Sequence, residues 1–311
     1  MSSQAIWWML AVTAVALLSC VSPAALSVQN FGEMDVDLDV ESERAQFNST
    51  CKCGKKFTRI VGGTETQVNA YPWQAALFHK DINSIVCGGS LITNQHILTA
   101  AHCFAPETPL TAENMVVHLR DHDLSNPSET NLVERYAKTI HIHKHYDRPT
   151  IQNDIAIIHL NKTVPISSRL LPVCLPSSAK LKYGNEEAIA TGWGATSTGG
   201  DTTNTLQEVK VSVFSRKDCL NRTAFEPIRI TRKMLCAAGL DGQGTCHGDS
   251  GGPLIYLDQE QNYDQIGITS FGHKGCGDKV LPAGFTRVNK YLRWIERHTT
   301  EGVYCSGFTF P

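Results

Sequence analysis

Eleven cysteines in a chain of 311 residues limit what this sequence can become more than any other feature. Cys20 lies just beyond an uncharged apolar run at 5–18, AIWWMLAVTAVALL. That run is shorter than the roughly 20 residues a membrane-crossing helix needs, and it has the length of a signal-peptide core. Ser22-Pro23-Ala24 then offers a small-x-small cleavage signal. A cut between 22 and 27 makes residues 1–26 a signal peptide, although the residues before the run carry no Lys or Arg. Leu18-Ser19-Cys20 also resembles a bacterial lipidation box, and this is a second reading of the same segment. With Cys20 removed, ten cysteines remain, an even number in a chain bound for an oxidising compartment. The expectation is a secreted, extracellular protein held by up to five disulfides, with no membrane association.

The rest of the composition excludes several classes. Hydrophobic residues are 41% and charged residues 19%, with a formal net charge of -2. The chain can bury a sizeable core, and nothing basic points to nucleic acid. Residues 28–50 are acidic and weakly periodic, with Glu33, Asp35, Asp37, Asp39, Glu41 and Glu43 against Arg44 alone. They read as a flexible propeptide or an N-terminal arm without a further role. From Ile60 onward, short Val/Ile/Leu/Thr runs alternate with Gly, Pro and Asn. Examples are Ser90–Thr99, Met115–Leu119, Asp154–Leu160, Gln207–Phe214 and Gln265–Phe271. This texture predicts an all-β sandwich or barrel. In VNKYLRWIERH (288–298), Val288, Tyr291, Leu292 and Ile295 fall at helical spacing, which predicts a C-terminal helix.

The chemistry-bearing residues are dispersed. Ser250 stands in Gly248-Asp249-Ser250-Gly251-Gly252-Pro253, where glycines leave room for a substrate backbone. A serine hydroxyl is a weak nucleophile without a base and a group to orient that base. Upstream, TAAHC (99–103) supplies His102 and NDIAII (153–158) supplies Asp154. Spacing alone does not bring the three together.

These segments, with Arg59-Ile60-Val61-Gly62-Gly63, Cys87-Gly88-Gly89-Ser90-Leu91, TGWG at 191–194 and Phe285-Thr286-Arg287-Val288, resemble the chymotrypsin-type serine proteases in motif, order and spacing over residues 59–298. The resemblance implies an all-β fold of two six-stranded antiparallel β-barrels packed together, with a C-terminal α-helix. It implies that Ser250 attacks the scissile carbonyl and His102 transfers its proton. Asp154 would orient the imidazole, and the backbone N–H groups of Gly248 and Ser250 would form an oxyanion hole. Ser270 would support the aspartate. Cleavage between Arg59 and Ile60 would free an ammonium that pairs with Asp249. That divides the chain into a propeptide or light chain, 27–59, and a catalytic domain, 60–311. Protein or peptide substrates, an upstream trypsin-like activating protease and serpin-type inhibitors are the implied partners; no cofactor and no metal are implied. The Cys-x-Cys-Gly segment ahead of the cleavage site resembles secreted arthropod members, including venom and haemolymph proteases.

By family pattern Cys87 pairs with Cys103, Cys219 with Cys236, Cys246 with Cys276, and Cys53 with Cys174. Cys51 and Cys305 are left over and expected to pair, tying the propeptide to the segment after the helix; Cys51–Cys174 with Cys53–Cys305 is the alternative. A zinc site at Cys51 and Cys53 lacks nearby ligands. One further family disulfide, read as joining the two barrels, maps to Ala188 and Tyr256 and is absent.

The specificity pocket maps to Gly244 at its base, with Ser270, Gly272 and Ala283 around it. A base without an acid predicts cleavage after large apolar or aromatic residues; Asp278 from a neighbouring loop would instead restore a preference for Lys or Arg. Sequons at Asn48, Asn161 and Asn221 are candidate glycan sites. His141, His143 and His145 alternate as on one face of a strand, either a metal patch or solvated imidazoles. Asp121, Asp123 and Glu129 partly match a calcium loop. The rival of a different class is a catalytically inactive homologue acting as a binding cofactor; the presence of His102, Asp154, Ser250 and Asp249 argues against it.

Overall fold

The structure is a computed structural model that describes residues 45–57, 64–105, 110–196, 199–222, 228–239, 245, 248–272 and 282–310. The segment expected to be a signal peptide, Arg59, Ile60, Gly244, Asp278 and the expected Cys246–Cys276 pair lie outside the described residues. Two strands precede the first barrel: β1 (Gln46–Lys52) and β2 (Thr64–Glu65). The first barrel is formed by β3 (Gln74–His79), β4 (Ser84–Leu91), β5 (His96–Thr99), β6 (Met115–Leu119), β7 (Val133–Ile142) and β8 (Ala156–Leu160), closed in the order β3-β4-β5-β8-β7-β6. The second comprises β9 (Glu187–Gly192), β10 (Gln207–Val213), β11 (Met234–Gly239), β12 (Pro253–Leu257), β13 (Tyr263–Phe271) and β14 (Ala283–Arg287). A β10–β11 pairing closes it, and β2 extends it at β10. All pairings within the barrels are antiparallel, so the two-barrel all-β fold stands as expected.

Local pattern explains which strands lie inside. QAALFH in β3 and AIIHL in β8 are buried at every position, whereas VERYAKTIHI in β7 mixes polar and apolar residues, alternates in exposure over its first six positions and is nowhere fully buried. Strands that bury both faces read as continuous apolar runs; one-faced strands alternate. The run 90–99 is two strands, β4 and β5. A turn at 92–95 separates them, where Asn94 N–H donates to the Val303 carbonyl and its side chain accepts from Val303 N–H. Polar side chains cross between the barrels. Thr191 Oγ1 donates to Gln74 Oε1 (2.7 Å), Ser90 Oγ to Gln265 Oε1 (2.5 Å) and Trp193 Nε1 to the His122 carbonyl (2.9 Å). Each such buried bond contributes about 1 kcal/mol net, but losing one partner costs more.

Ala188 and Tyr256 correct one expectation. They lie on β9 and β12, neighbouring strands of the second barrel. A disulfide there would brace one barrel and would not join the two.

The C-terminal helix is shorter than its apolar spacing predicts. Val288–Lys290 form a 3₁₀ turn, Tyr291 (φ -122°, ψ 8°) interrupts it, and α2 is Leu292–Arg297. Val288, Tyr291, Leu292 and Ile295 are nonetheless all buried. A second helix, α1 (Arg216–Arg222), follows β10 and has no strong sequence signal. Strand β15 (Val303–Ser306) pairs in parallel with β1. Phe47 of β1 packs into an aromatic cluster with Tyr304, Phe308 and Phe310, at centroid separations of 5.2–6.4 Å. No helix among the described residues is long and apolar enough to cross a membrane.

Candidate active site

Strand pairing brings the first two site residues together. Thr99 at the end of β5 lies opposite Ala156 at the start of β8. The turn that follows β5 and the residues that precede β8 therefore share one edge of the barrel. His102 sits in that turn (Ala101–Phe104), and Asp154, with no exposed surface, stands two residues before β8. His102 Nδ1–H donates to Asp154 Oδ2 (2.8 Å), and the His102 backbone N–H donates to Oδ1 (2.8 Å). From the second barrel, Ser270 Oγ on β13 donates to the carboxylate Oδ2 (2.5 Å), and Thr286 Oγ1 on β14 holds the Asp154 backbone carbonyl (2.7 Å). A buried carboxylate is tolerable only with such partners. Burial disfavours the charged form of His102, but the charge and hydrogen bond of Asp154 outweigh it and raise the imidazole pKa above its ordinary value. Donation from Nδ1–H to Asp154 sets the tautomer and leaves Nε2 as the ring nitrogen able to accept a proton.

Ser250 arrives from the second barrel on a segment shaped by glycine. Gly248 (φ 98°) and Gly251 (φ 78°) occupy backbone conformations that other residues adopt only with strain. Gly251 packs against Thr99, the Gly88 carbonyl and Cys103, leaving no room for a side chain. Gly88 N–H donates to the Ser250 carbonyl (2.7 Å) and Gly251 N–H to the Thr269 carbonyl on β13 (2.9 Å). The serine loop is thus seated against the element that carries His102. Thr99 Oγ1 donates to the Gly88 carbonyl (2.8 Å) and secures that seat from the other side.

Asp249 turns away from Ser250 and into the second barrel. Its Oδ1 accepts the Gly194 N–H (2.9 Å), and a side chain at Gly192 or Gly194 would collide with the carboxylate. TGWG thus supplies the recess and one donor for this acid. Of the pocket residues, Ser270 and Ala283 are half-buried; nothing lies within 4 Å of where a side chain at Gly272 would start.

The segment at 51–56 is anchored three times. The structure joins Cys51 to Cys305 and Cys53 to Cys174, at Cα separations of 5.0 and 4.9 Å. Lys56 then reaches Glu208 Oε2 (2.9 Å) and Tyr71 Oη (2.7 Å), both ends of the ion pair being nearly sealed from solvent; Tyr71 donates to the same carboxylate. Burial lowers the Lys56 pKa, and Glu208 works against that shift. The sequence gives no sign of this triad, because its members come from three distant segments. Cys87–Cys103 and Cys219–Cys236 are also bonded.

The weaker sequence signals resolve as follows. His141, His143 and His145 do not converge: His141 packs on His298 (5.3 Å) and His143 on Trp294 (5.3 Å). The metal-patch reading fails because strand β7 ends at Ile142, before the alternation can be completed. In the acidic loop, Asp121 meets His118 (3.1 Å), Asp123 Oδ1 accepts from Ser125, and Glu129 accepts the Asp123 N–H. These carboxylates serve the loop itself and do not surround a common point. The close set of Cys87, His102 and Cys103 offers no thiolates, since the two cysteines are bonded to each other. Asn48, Asn161 and Asn221 are all exposed. Thr286 and Thr99, quoted within motifs, carried no assigned role in the sequence; their hydroxyl bonds emerge only with the fold.

Comparison with known proteins agrees with this geometry. The chain is 37% identical over 252 residues to the proclotting enzyme of Tachypleus tridentatus, covering 78% of this chain and 66% of that one, just under two thirds of its length. It is 36% identical to chymotrypsin-C of Mus musculus (76% and 88% covered) and 33% identical to the venom serine protease of Polistes dominula (82% and 91%). Residues 60–295 match the family described as Trypsin, and this chain belongs to that family of serine endopeptidases.

Proposed function

We propose that the protein is a secreted serine endopeptidase, made as a zymogen and activated by cleavage between Arg59 and Ile60. The observation that carries this reading is Asp154 gripping His102 through two hydrogen bonds while Ser270 and Thr286 hold it from the other barrel. In the proposed mechanism His102 takes the proton of Ser250 as its oxygen attacks the scissile carbonyl. Asp154 stabilises the imidazolium, and the proton then passes to the leaving amine. Gly248 and Ser250 N–H groups receive the oxyanion, where one such donor is worth about 3 kcal/mol of barrier.

Activation follows from charge. The new Ile60 ammonium would enter the recess beside Gly192 and Gly194 and pair with the half-buried Asp249, where an opposite charge close by, partly shielded from water, is attracted more strongly than at the surface. The disulfides of Cys51 and Cys53 and the Lys56 ion pair support retention of 27–59 as a tethered light chain after cleavage. Residues 1–26 are assigned as the signal peptide and 60–311 as the catalytic domain. A fifth disulfide, Cys246–Cys276, and glycans on Asn48, Asn161 and Asn221 belong to the same extracellular reading. The resemblance to a venom protease and to a proclotting enzyme is in line with secretion and with a precursor form.

With Gly244 at the base and Gly272 leaving the entrance clear, the pocket suits large apolar or aromatic residues. An enzyme of this preference would not cut its own Arg59–Ile60 bond, so a separate trypsin-like protease is the activator; serpin-type inhibitors are the natural regulators. The test is to cleave purified zymogen after Arg59, quench the activator, and profile hydrolysis over peptides varied at the residue before the cut. Hydrolysis after Phe, Tyr, Leu or Met supports the whole reading. Hydrolysis after Arg or Lys keeps the mechanism and replaces the pocket assignment, with Asp278 the first residue to mutate. No hydrolysis and no labelling by a fluorophosphonate, with Ile60 verified as the new N-terminus, selects the inactive binding cofactor.

A further inference from the structure

His159 on β8 is 3% exposed, and its Nε2 has no hydrogen-bond partner. Buried side-chain nitrogens nearly always have one, so the exception needs a cause. Glu301 Oε2 lies 3.6 Å from this nitrogen. That is long for a hydrogen bond. It falls at the end of the roughly 3.3–3.6 Å that separates two donors on one tetrahedral zinc ion, whose bonds to nitrogen and oxygen are about 2.0–2.2 Å.

Strand register places a third donor beside this pair. His159 lies opposite Thr139 of β7 and opposite His96 of β5. Residues directly opposite in an antiparallel pair share a face, and so do residues two apart on one strand. His141, two residues beyond Thr139, is therefore on the same face as His159 and is its diagonal neighbour, a spacing that long side chains bridge. His141 does not converge with His143 and His145 along its own chain segment; its face is shared instead with a neighbouring strand.

The surroundings hold two of the three donors in place. His96 stacks on His159 (4.7 Å), and its Nδ1 is bonded to Thr93 Oγ1 (2.8 Å). A side chain at Gly302 would start 2.4 Å from His96 Nδ1, so the backbone next to Glu301 is seated directly on the histidine pair. Glu301 itself is exposed and accepts from Lys138 Nζ (3.0 Å). His141 is half-buried, with Nε2 bonded to Thr139 Oγ1 (3.2 Å) and its ring tilted on that of His298 (5.3 Å).

We propose that His159 Nε2, the Glu301 carboxylate and a ring nitrogen of His141 form a zinc(II) site on the outer face of the first barrel. Two imidazoles and one carboxylate suit zinc, whereas calcium and magnesium take oxygen ligands. His159 and Glu301 already stand at ligand spacing, and His141 joins them by a side-chain rotation that gives up Thr139 Oγ1. The ion replaces the Lys138 ammonium at Glu301, one cation for another on the same oxygen. Water takes the fourth position of the tetrahedron. Glu301 shortly precedes β15, and Cys305 of that strand is bonded to Cys51. The ion thus fastens the C-terminal segment, and the segment bearing Cys51 with it, to the first barrel.

The experiment uses the full-length zymogen, stripped with a chelator and titrated with zinc chloride by calorimetry, so it does not depend on the catalytic proposal. Because His159 is buried, the variants are placed at its more exposed partners. The expected result is a saturable site that Glu301→Gln and His141→Gln each weaken at least about tenfold, since each removes a ligand. His143→Gln/His145→Gln and His102→Gln are expected to leave affinity within about twofold, because neither touches the ligand set. Lys138→Gln removes the competing ammonium and should tighten binding at least about twofold. X-ray absorption at the zinc edge of the unmutated protein, expected to show two imidazole nitrogens with oxygen ligands, is a readout free of any folding defect in the variants. No saturable binding, undiminished affinity in Glu301→Gln or His141→Gln, loss in the His143/His145 or His102 variants, no gain in Lys138→Gln, or a zinc shell without two imidazoles would each overturn the proposal.

Discussion

The two barrels hold their shares of the active site by different physics. The first presents His102 and Asp154 through side-chain hydrogen bonds on a buried edge, where β5 and β8 are paired and the acid has no contact with water. The second presents Ser250 on a segment whose shape depends on Gly248 and Gly251 at positive φ and on where the Asp249 carboxylate points. Packing alone can keep the first arrangement in place. The second rests on the half-buried Asp249 carboxylate, bonded to Gly194 N–H, whose proposed further partner, the Ile60 ammonium, exists only after a bond is cut. One half of the site would be preformed and the other conditional, which is how a zymogen can fold fully and still be silent.

The largest expected effect tests whether the halves act as one unit. Ser250→Ala and His102→Ala should each lower kcat by roughly 10⁴–10⁶-fold, and the double variant should lose little more. Additive losses in kcat would show two independent contributions and break the picture. Next, Asp249→Asn should reduce the activity of cleaved enzyme by roughly 10²–10³-fold, the scale of losing a buried ion pair. In this variant the His102 titration, followed by NMR, should stay where it is. A moved His102 titration would mean that the first barrel is not preformed.

Lys56→Met leaves Glu208 buried without its cation and should cost about 3 kcal/mol in unfolding experiments with the disulfides intact. An unchanged stability would show that the light chain is held by Cys51 and Cys53 alone. The smallest effect is a shift in pH dependence. Because the His102 base must be neutral to act, kcat/KM should rise with pH through an apparent pKa above about 6.5. The Asp154→Asn variant should move that pKa down, since burial then acts unopposed. The matching stability term has a raised folded pKa. It is present in full below about 6.5 and lost as pH rises through the folded value, so Asp154→Asn should narrow the stability gap between mildly acidic and alkaline pH.

Much of this was legible before any coordinates. TAAHC, NDIAII and GDSGGP point to His102, Asp154 and Ser250 as the candidate site, and the glycines of GDSGGP and TGWG reflect tight packing: Gly251 has no room for a side chain against Thr99 and Cys103, nor Gly194 against Asp249. Short Val/Ile/Leu/Thr runs punctuated by Gly, Pro and Asn predicted the all-β class, because strand and turn preferences are local to each run. The mistaken reading of Ala188 and Tyr256 shows the limit, since which strands are neighbours is not written in either strand.

The sequence by itself determined the chemistry: which residues can attack, accept a proton and stabilise charge, and that the chain is cross-linked. Those are properties of residue types in short local patterns. Only the tertiary structure decided what residues remote in sequence do together. The Lys56–Tyr71–Glu208 triad, the support of Asp154 by Thr286, and the parallel pairing of β1 with β15 each combine segments that carry no mutual signal along the chain. Electrostatic fields and hydrogen bonds act through space, over distances that chain order does not measure.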